Sequence, residues 1–208
     1  MVYSSKSGSC YLCVFDMGGV IVRDYIIWPE LMDYLGLPNK NLSEIDNRFH
    51  EALVRHCRGE ISEKDFWSLY TEITGRTIPS DQTVPLLGKF FHPKMDEPTV
   101  QIVRQLKANG MRVVSGTNVI DAHYNVHKNL GQYDLFDKVY ASHLMGILKP
   151  DPAFFEYILK AENLQAGEVF FTDDSVENVK AASEVGLRAY HYTDARTLKT
   201  QLCSLGLL

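Results

Sequence analysis

The stretch YLCVFDMGGVIV, residues 11–22, constrains the fold more than any other part of this 208-residue chain. Residues 11–15 are almost all apolar at successive positions. That pattern predicts a strand covered on both faces, as strands are in a parallel sheet. The run ends in one carboxylate, Asp16, and Gly18 and Gly19 follow closely. In an open parallel sheet, ligands bind beyond the carboxyl ends of the strands. Asp16 therefore stands where chemistry would be done, and a short extended piece over 19–22 is expected after the glycine turn.

The next 65 or so residues carry helical rather than strand signals. WPELMDYLGLP has Pro29 at a helix start and Gly36 at its end. LSEIDNRFHEALVRHCRG is expected to start at Ser43 as N-cap and to stop at Gly59. Its apolar stripe is Ile45, Phe49, Leu53 and Cys57. SEKDFWSLYTEITG repeats the scheme between Ser62 and Gly75, and a fourth short helix is expected around residues 81–91.

From residue 98 helices and strands alternate. The expected strands are 111–115, 137–142, 168–172 and 187–192, with helices between them. Such repetition predicts a parallel sheet with helices on both faces. The fold class is thus α/β, a Rossmann-like parallel sheet with an inserted helical cap. We expect the core to comprise residues 8–23 and 93–208, the insert 24–92, and a frayed tail 1–7.

The residues at the strand ends point to chemistry. Asp16 follows the first strand; Ser115, Gly116, Thr117 and Asn118 follow the second; Lys149 comes shortly after the third; Asp173 and Asp174 follow the fourth. Crowded carboxylates need a cation, and carboxylates with backbone oxygens suit Mg²⁺. A hydroxyl, free N–H groups and a lysine make a phosphate or oxyanion site. A metal beside a phosphate site implies phosphoryl transfer.

Other function classes are disfavoured. The net charge of −5 and the scattered basic residues indicate no nucleic-acid partner. No apolar run approaches the roughly 20 residues of a membrane helix, and a cytoplasmic location is the expectation. Cys10 and Cys13 form a C-x-x-C, but no second pair or histidine follows at zinc spacing. Ordinary thiols are expected there. No G-x-G-x-x-G follows the first strand, which argues against a dinucleotide.

Four motifs now carry a resemblance: VFDMGGVIV, VVSGTN, LKPDPAFFEYIL and VFFTDDSVENVKAA. In this order they resemble the haloacid dehalogenase superfamily, in its capped phosphatase subgroup. Within it the chain looks closest to the group containing α-D-glucose-1-phosphate phosphatase. The resemblance implies that Asp16 is a nucleophile forming an aspartyl-phosphate. It implies that Ser115 and Gly116 hold the phosphoryl oxygens and that Lys149 neutralises phosphate and Asp16. Mg²⁺ would be held by Asp16, the Gly18 carbonyl, Asp173 and Asp174. The substrate would be a small phosphorylated metabolite, with a sugar phosphate favoured, and the protein a monomer or weak dimer without a membrane partner.

Two departures stand out. Many such phosphatases carry an aspartate two residues after the nucleophile as general acid and base, where this chain has Gly18. Close relatives often have Asn where Gly116 stands. The acid is then expected from water, the substrate, or the cap candidates Arg23, His50 and His56. Two further readings are a metal-free 2-haloacid dehalogenase, which the adjacent acids of TDDS oppose, and a non-catalytic phospho-ligand binder.

Overall fold

The computed structural model describes residues 10–78 and 85–208. The expected tail 1–7 and the beginning of the expected fourth helix lie outside the described residues. Five parallel strands form the central sheet: β1 (Leu12–Phe15), β4 (Arg112–Thr117), β5 (Lys138–Ala141), β6 (Val169–Asp173) and β7 (Arg188–His191). Between the first two in sequence lies a short antiparallel ribbon of β2 (Val22–Arg23) and β3 (Lys94–Met95). The sheet order is β5-β4-β1-β6-β7, so β1 is central, paired with β4 on one side and β6 on the other.

Alternate residues of β1 feed two separate apolar layers, as the period of two requires. Cys13 and Phe15 pack with Ile102, Val103 and Leu106 of α5 (Glu97–Ala108) and with Leu198 and Leu202 of α10 (Ala195–Ser204). Leu12 and Val14 pack with Phe154, Phe155 and Ile158 of α8 (Pro152–Glu162) and with Ala181 and Ala182 of α9 (Val176–Val185). This double coverage explains why residues 12–15 carry no alternation of polar and apolar groups, whereas Tyr11 ahead of the strand is exposed.

Between β2 and β3 come α1 (Trp28–Tyr34), α2 (Arg48–Cys57), α3 (Glu63–Thr74) and α4 (Leu86–Lys89). They share a third apolar cluster around Phe49, Phe66, Trp67 and Tyr70, which also takes in Ile120 and Ala122 of the α/β part. α3 is capped as its sequence predicts. Ser62 Oγ accepts from Asp65 N at 3.2 Å, Asp65 Oδ2 accepts from Ser62 N at 2.8 Å, and Gly75 closes the helix at φ 67°. α2 differs from expectation. Ser43 is not its cap, because Asn41 caps a separate 3₁₀ turn over Leu42–Glu44 and α2 starts only at Arg48. Asp46 Oδ1 accepts from Arg48 N at 2.9 Å, offering the backbone a local bond that interrupts a continuous helix.

Three helices complete the fold: α6 (Asp121–Asn129) after β4, and the short α7 (Ser142–Met145) after β5, with α9 following β6. The most consequential difference from expectation is in β4. It runs to Thr117, two residues beyond the expected end, with Gly116 paired to Tyr140 and Thr117 to Ala141. Ser115 and Gly116 are strand residues, and the loop starts after them.

Candidate active site

Asp16 lies one residue past β1, and its backbone N–H donates to the Thr172 carbonyl of β6 at 3.1 Å. This ties the start of the loop to the neighbouring strand. Met17 O then accepts from the N–H groups of both Ile21 and Val22, so the chain turns back sharply. The conformational demand of that turn falls on Gly19, at φ 74°, rather than on Gly18. A Cβ at Gly19 would also collide with the Asp174 carboxylate, so only glycine lets the acid approach. At Gly18, a Cβ would meet the Tyr25 ring at 3.4 Å. The Gly18 carbonyl accepts no hydrogen bond among the described residues and is left open.

Lys149 is buried between two carboxylates. Its Nζ donates to Asp16 Oδ1 at 2.7 Å and to Asp173 Oδ2 at 2.6 Å. Burial works against the ammonium, but Asp16 and Asp173 overcome it and hold its pKa above the usual lysine value. The Lys149 backbone is clamped by Asn118. Asn118 Oδ1 accepts from Lys149 N at 2.9 Å, and Asn118 Nδ2 donates to Lys149 O at 2.8 Å. Asp173 is oriented by Asn178 Nδ2, at 3.0 Å and 3.1 Å from its two oxygens, and by Ser175 N at 2.8 Å.

Oxygens of Asp16, Asp173 and Asp174 lie within 4.8 Å of one another. Burial pushes the Asp16 carboxyl up to about 7, Lys149 opposes this, and the Asp173 charge adds to it. Partial burial and the Asp173 charge likewise raise Asp174. With all three carboxylates ionised, one ammonium leaves a surplus of two negative charges, and the raised Asp16 and Asp174 show the cost of that crowding. The donor set is all hard oxygen with no thiol or imidazole, and it fits Mg²⁺ rather than a softer metal.

A cavity of about 290 Å³ opens on this cluster, lined by Asp16, Lys149, Asp173 and Asp174 at one end. Thr117 and Asn118 line it too, whereas Ser115 and Gly116 do not. Because β4 is longer than expected, Ser115 sits beside Phe15, fully buried, its hydroxyl without a hydrogen-bond partner. Gly116 faces the apolar core, where a Cβ would be 3.0 Å from Val14 and 3.3 Å from Phe154. The residues that reach the cavity from the end of β4 are therefore those two positions on, Thr117 and Asn118. Asn118 also supplies the asparagine that Gly116 lacks.

Three other expected residues lie elsewhere. Arg23 Nη2 donates to the Tyr192 hydroxyl at 3.0 Å and lies 3.6 Å from Asp96, tying the β2–β3 ribbon to the core instead of facing the cavity. His50 is exposed, and His56 is buried with Nδ1 2.8 Å from the Ile61 carbonyl, beside a different cavity. The imidazoles in the site cavity are instead His123 and His127, four residues apart on α6. Their spacing was visible in DAHYNVHKN, but nothing in a lone helical pattern aims them at a ligand. Asn178 was equally visible within DDSVEN.

The parallel sheet with an acidic cluster beyond its strand ends defines a Rossmann-like hydrolase. The haloacid dehalogenase-like hydrolase family model matches residues 12–186, and the chain belongs to that family. The sesquiterpene phosphatase astK of Aspergillus oryzae is 33% identical over 188 residues, covering 88% of this chain and 89% of that protein. The D-ribitol-5-phosphate phosphatase of Bacteroides thetaiotaomicron is 24% identical, covering 85% and 89%. Two other curated relatives are longer proteins, of which this chain spans 20%. A HAD family enzyme from Bacteroides thetaiotaomicron, solved with magnesium and inorganic phosphate, superposes with a TM-score of 0.72 at 23% identity, covering 89% of this chain and 95% of that one. No helix among the described residues is long and apolar enough to cross a membrane.

Proposed function

We propose that the chain is a Mg²⁺-dependent phosphatase that hydrolyses small phosphate monoesters through an aspartyl-phosphate on Asp16. The observation that carries this reading is the surplus negative charge of Asp16, Asp173 and Asp174 around one buried ammonium. The phosphatase names of two relatives support it. Asp16, Asp173, Asp174 and the Gly18 carbonyl would hold Mg²⁺, which neutralises charge on the nucleophile and on the transferring phosphoryl group.

Asp16 attacks phosphorus, and its new O–P bond forms as the ester P–O bond breaks. Lys149 opposes protonation of Asp16 and balances charge on the phosphoryl oxygens. The Thr117 hydroxyl and the Asn118 N–H donate to those oxygens, the role first expected of Ser115 and Gly116. The departing oxygen takes its proton from water, since Gly18 offers none. A water then attacks phosphorus, releases phosphate and restores the Asp16 carboxylate.

The direct test is phosphate release from acetyl phosphate and 4-nitrophenyl phosphate with Mg²⁺ and with excess EDTA. Release should require the metal. Undiminished turnover in EDTA overturns the metal role, and no release from either compound overturns the phosphatase reading.

Mg²⁺ should also raise the thermal unfolding temperature, more at pH 7.5 than at pH 5. Asp16 in the metal-free fold holds its proton up to about 7, well above its ordinary value of 3.8. Between those values the folded state binds more protons than the unfolded one, so metal-free stability falls as pH rises. Mg²⁺ removes that penalty by favouring the ionised carboxylate. A shift that shrinks with rising pH would contradict this.

Gly19→Ala should weaken Mg²⁺ binding at least about tenfold by calorimetric titration. It adds backbone strain of about 1–2 kcal/mol and pushes Asp174 out of place. Unchanged affinity would exclude Asp174 as a ligand.

The missing acid at Gly18 sets a further expectation. Positioned general-acid catalysis contributes about 10²–10⁴-fold, so kcat/KM across aryl and alkyl phosphates should depend steeply on leaving-group pKa. A flat dependence would show that another group supplies the proton.

A further inference from the structure

We infer that the alcohol esterified to the phosphate is an apolar body, aromatic or isoprenoid, rather than a polyhydroxylated sugar; this rests on the phosphatase reading and deepens it. At one end of the cavity every polar side chain is already assigned, to metal, to phosphate, or to holding Asp173. The rest of the wall is Met17, Val22, Tyr25, Phe91, His123 and His127, with Gly18 beneath Tyr25.

That wall is poor in hydrogen-bonding capacity. Outside the metal and phosphate end, no carboxylate, carboxamide, guanidinium or ammonium among the described residues lines it. His123 stacks on Phe91 with ring centroids 3.8 Å apart and planes within 6°, extending a continuous aromatic surface. Burial pushes its pKa down to about 4, so it is neutral, and Nε2 is taken up by the Leu87 carbonyl at 3.1 Å. His127 is also lowered by burial, and its Nδ1 is taken up by Gln132 Oε1 at 2.6 Å. Each ring has one nitrogen left, an acceptor only.

The Tyr25 hydroxyl, on the same wall, is the third available group. A hexose body brings more hydroxyls than these three groups can satisfy. Each hydroxyl buried without a partner weakens binding by about tenfold. An apolar body loses nothing against this wall and gains its contact area.

The test compares kcat/KM for benzyl phosphate, geranyl phosphate and glucose 6-phosphate in Mg²⁺. All three are esters of primary alcohols, so leaving-group acidity does not decide the ranking. Acetyl phosphate, which has no body to fill the cavity, reports the chemistry alone. Benzyl or geranyl phosphate should exceed glucose 6-phosphate by at least about tenfold. A benzyl preference identifies an aromatic source and a geranyl preference an isoprenoid one. Phe91→Leu should raise KM for benzyl phosphate about two- to tenfold. Glucose 6-phosphate matching or exceeding both, with acetyl phosphate hydrolysed, overturns this inference and leaves the phosphatase standing. No hydrolysis of acetyl phosphate, 4-nitrophenyl phosphate or any of these three esters overturns both.

Discussion

Asp16→Asn should reduce turnover by about 10⁴-fold or more, because an amide is no nucleophile toward phosphorus. The fold should survive. Lys149 keeps its second partner, Asp173, at 2.6 Å, and the amide oxygen can still accept from its Nζ. Circular dichroism should match the wild type, and the unfolding temperature in EDTA at neutral pH should not fall below it, because the amide carries none of the penalty of ionising a buried Asp16. The stabilisation by Mg²⁺ should shrink, since one anionic ligand of three is gone. Wild-type rates in this variant would refute nucleophilic attack by Asp16.

Lys149→Met should affect both stability and rate. The lysine is 4% exposed and separates two buried carboxylates, so its loss leaves like charges without a counter-ion. Removing one partner of a buried ion pair typically costs about 3–5 kcal/mol. The loss should be greatest above pH 7 and smaller at pH 5. Without the ammonium the folded-state carboxyl pKa values rise, so the folded protein keeps protons that the unfolded chain has released. Mg²⁺ should restore most of the stability but not the rate, which should stay about 10²–10³-fold low for want of charge stabilisation on the phosphoryl group. Urea unfolding at the two pH values, with and without Mg²⁺, separates these effects. Equal destabilisation at pH 5 and pH 8 would argue that packing rather than charge is responsible.

Much of the fold was legible because local chemistry and tertiary structure agree. The unbroken apolar run of β1 fits a central strand with layers on both sides. Ser62 and Gly75 bound α3 as caps whatever packs against it. Asp16, Asp173 and Asp174 stand at or just past their strand ends, and a parallel sheet brings such positions to one edge, where the loop after α7 also delivers Lys149.

The site slipped by two residues where a polar composition concealed a strand. Gly116 and Thr117 read as loop by propensity, yet pairing with β5 and packing on Val14 and Phe154 hold them in β4. Strand length is a property of the neighbours, and it alone decides that Thr117 rather than Ser115 meets the cavity. The imidazoles show the same limit. Arg23, His50 and His56 are as polar in sequence as His123 and His127, and only the approach of α6 and Phe91 to the β1 loop brings the latter pair to the site. The sequence by itself determined the α/β class and the acidic strand ends, because these depend on residue type and order along the strands. Which hydroxyl lines the cavity, and that the opposite wall is aromatic, were decided by tertiary packing, because side-chain direction depends on register and on the elements laid against it.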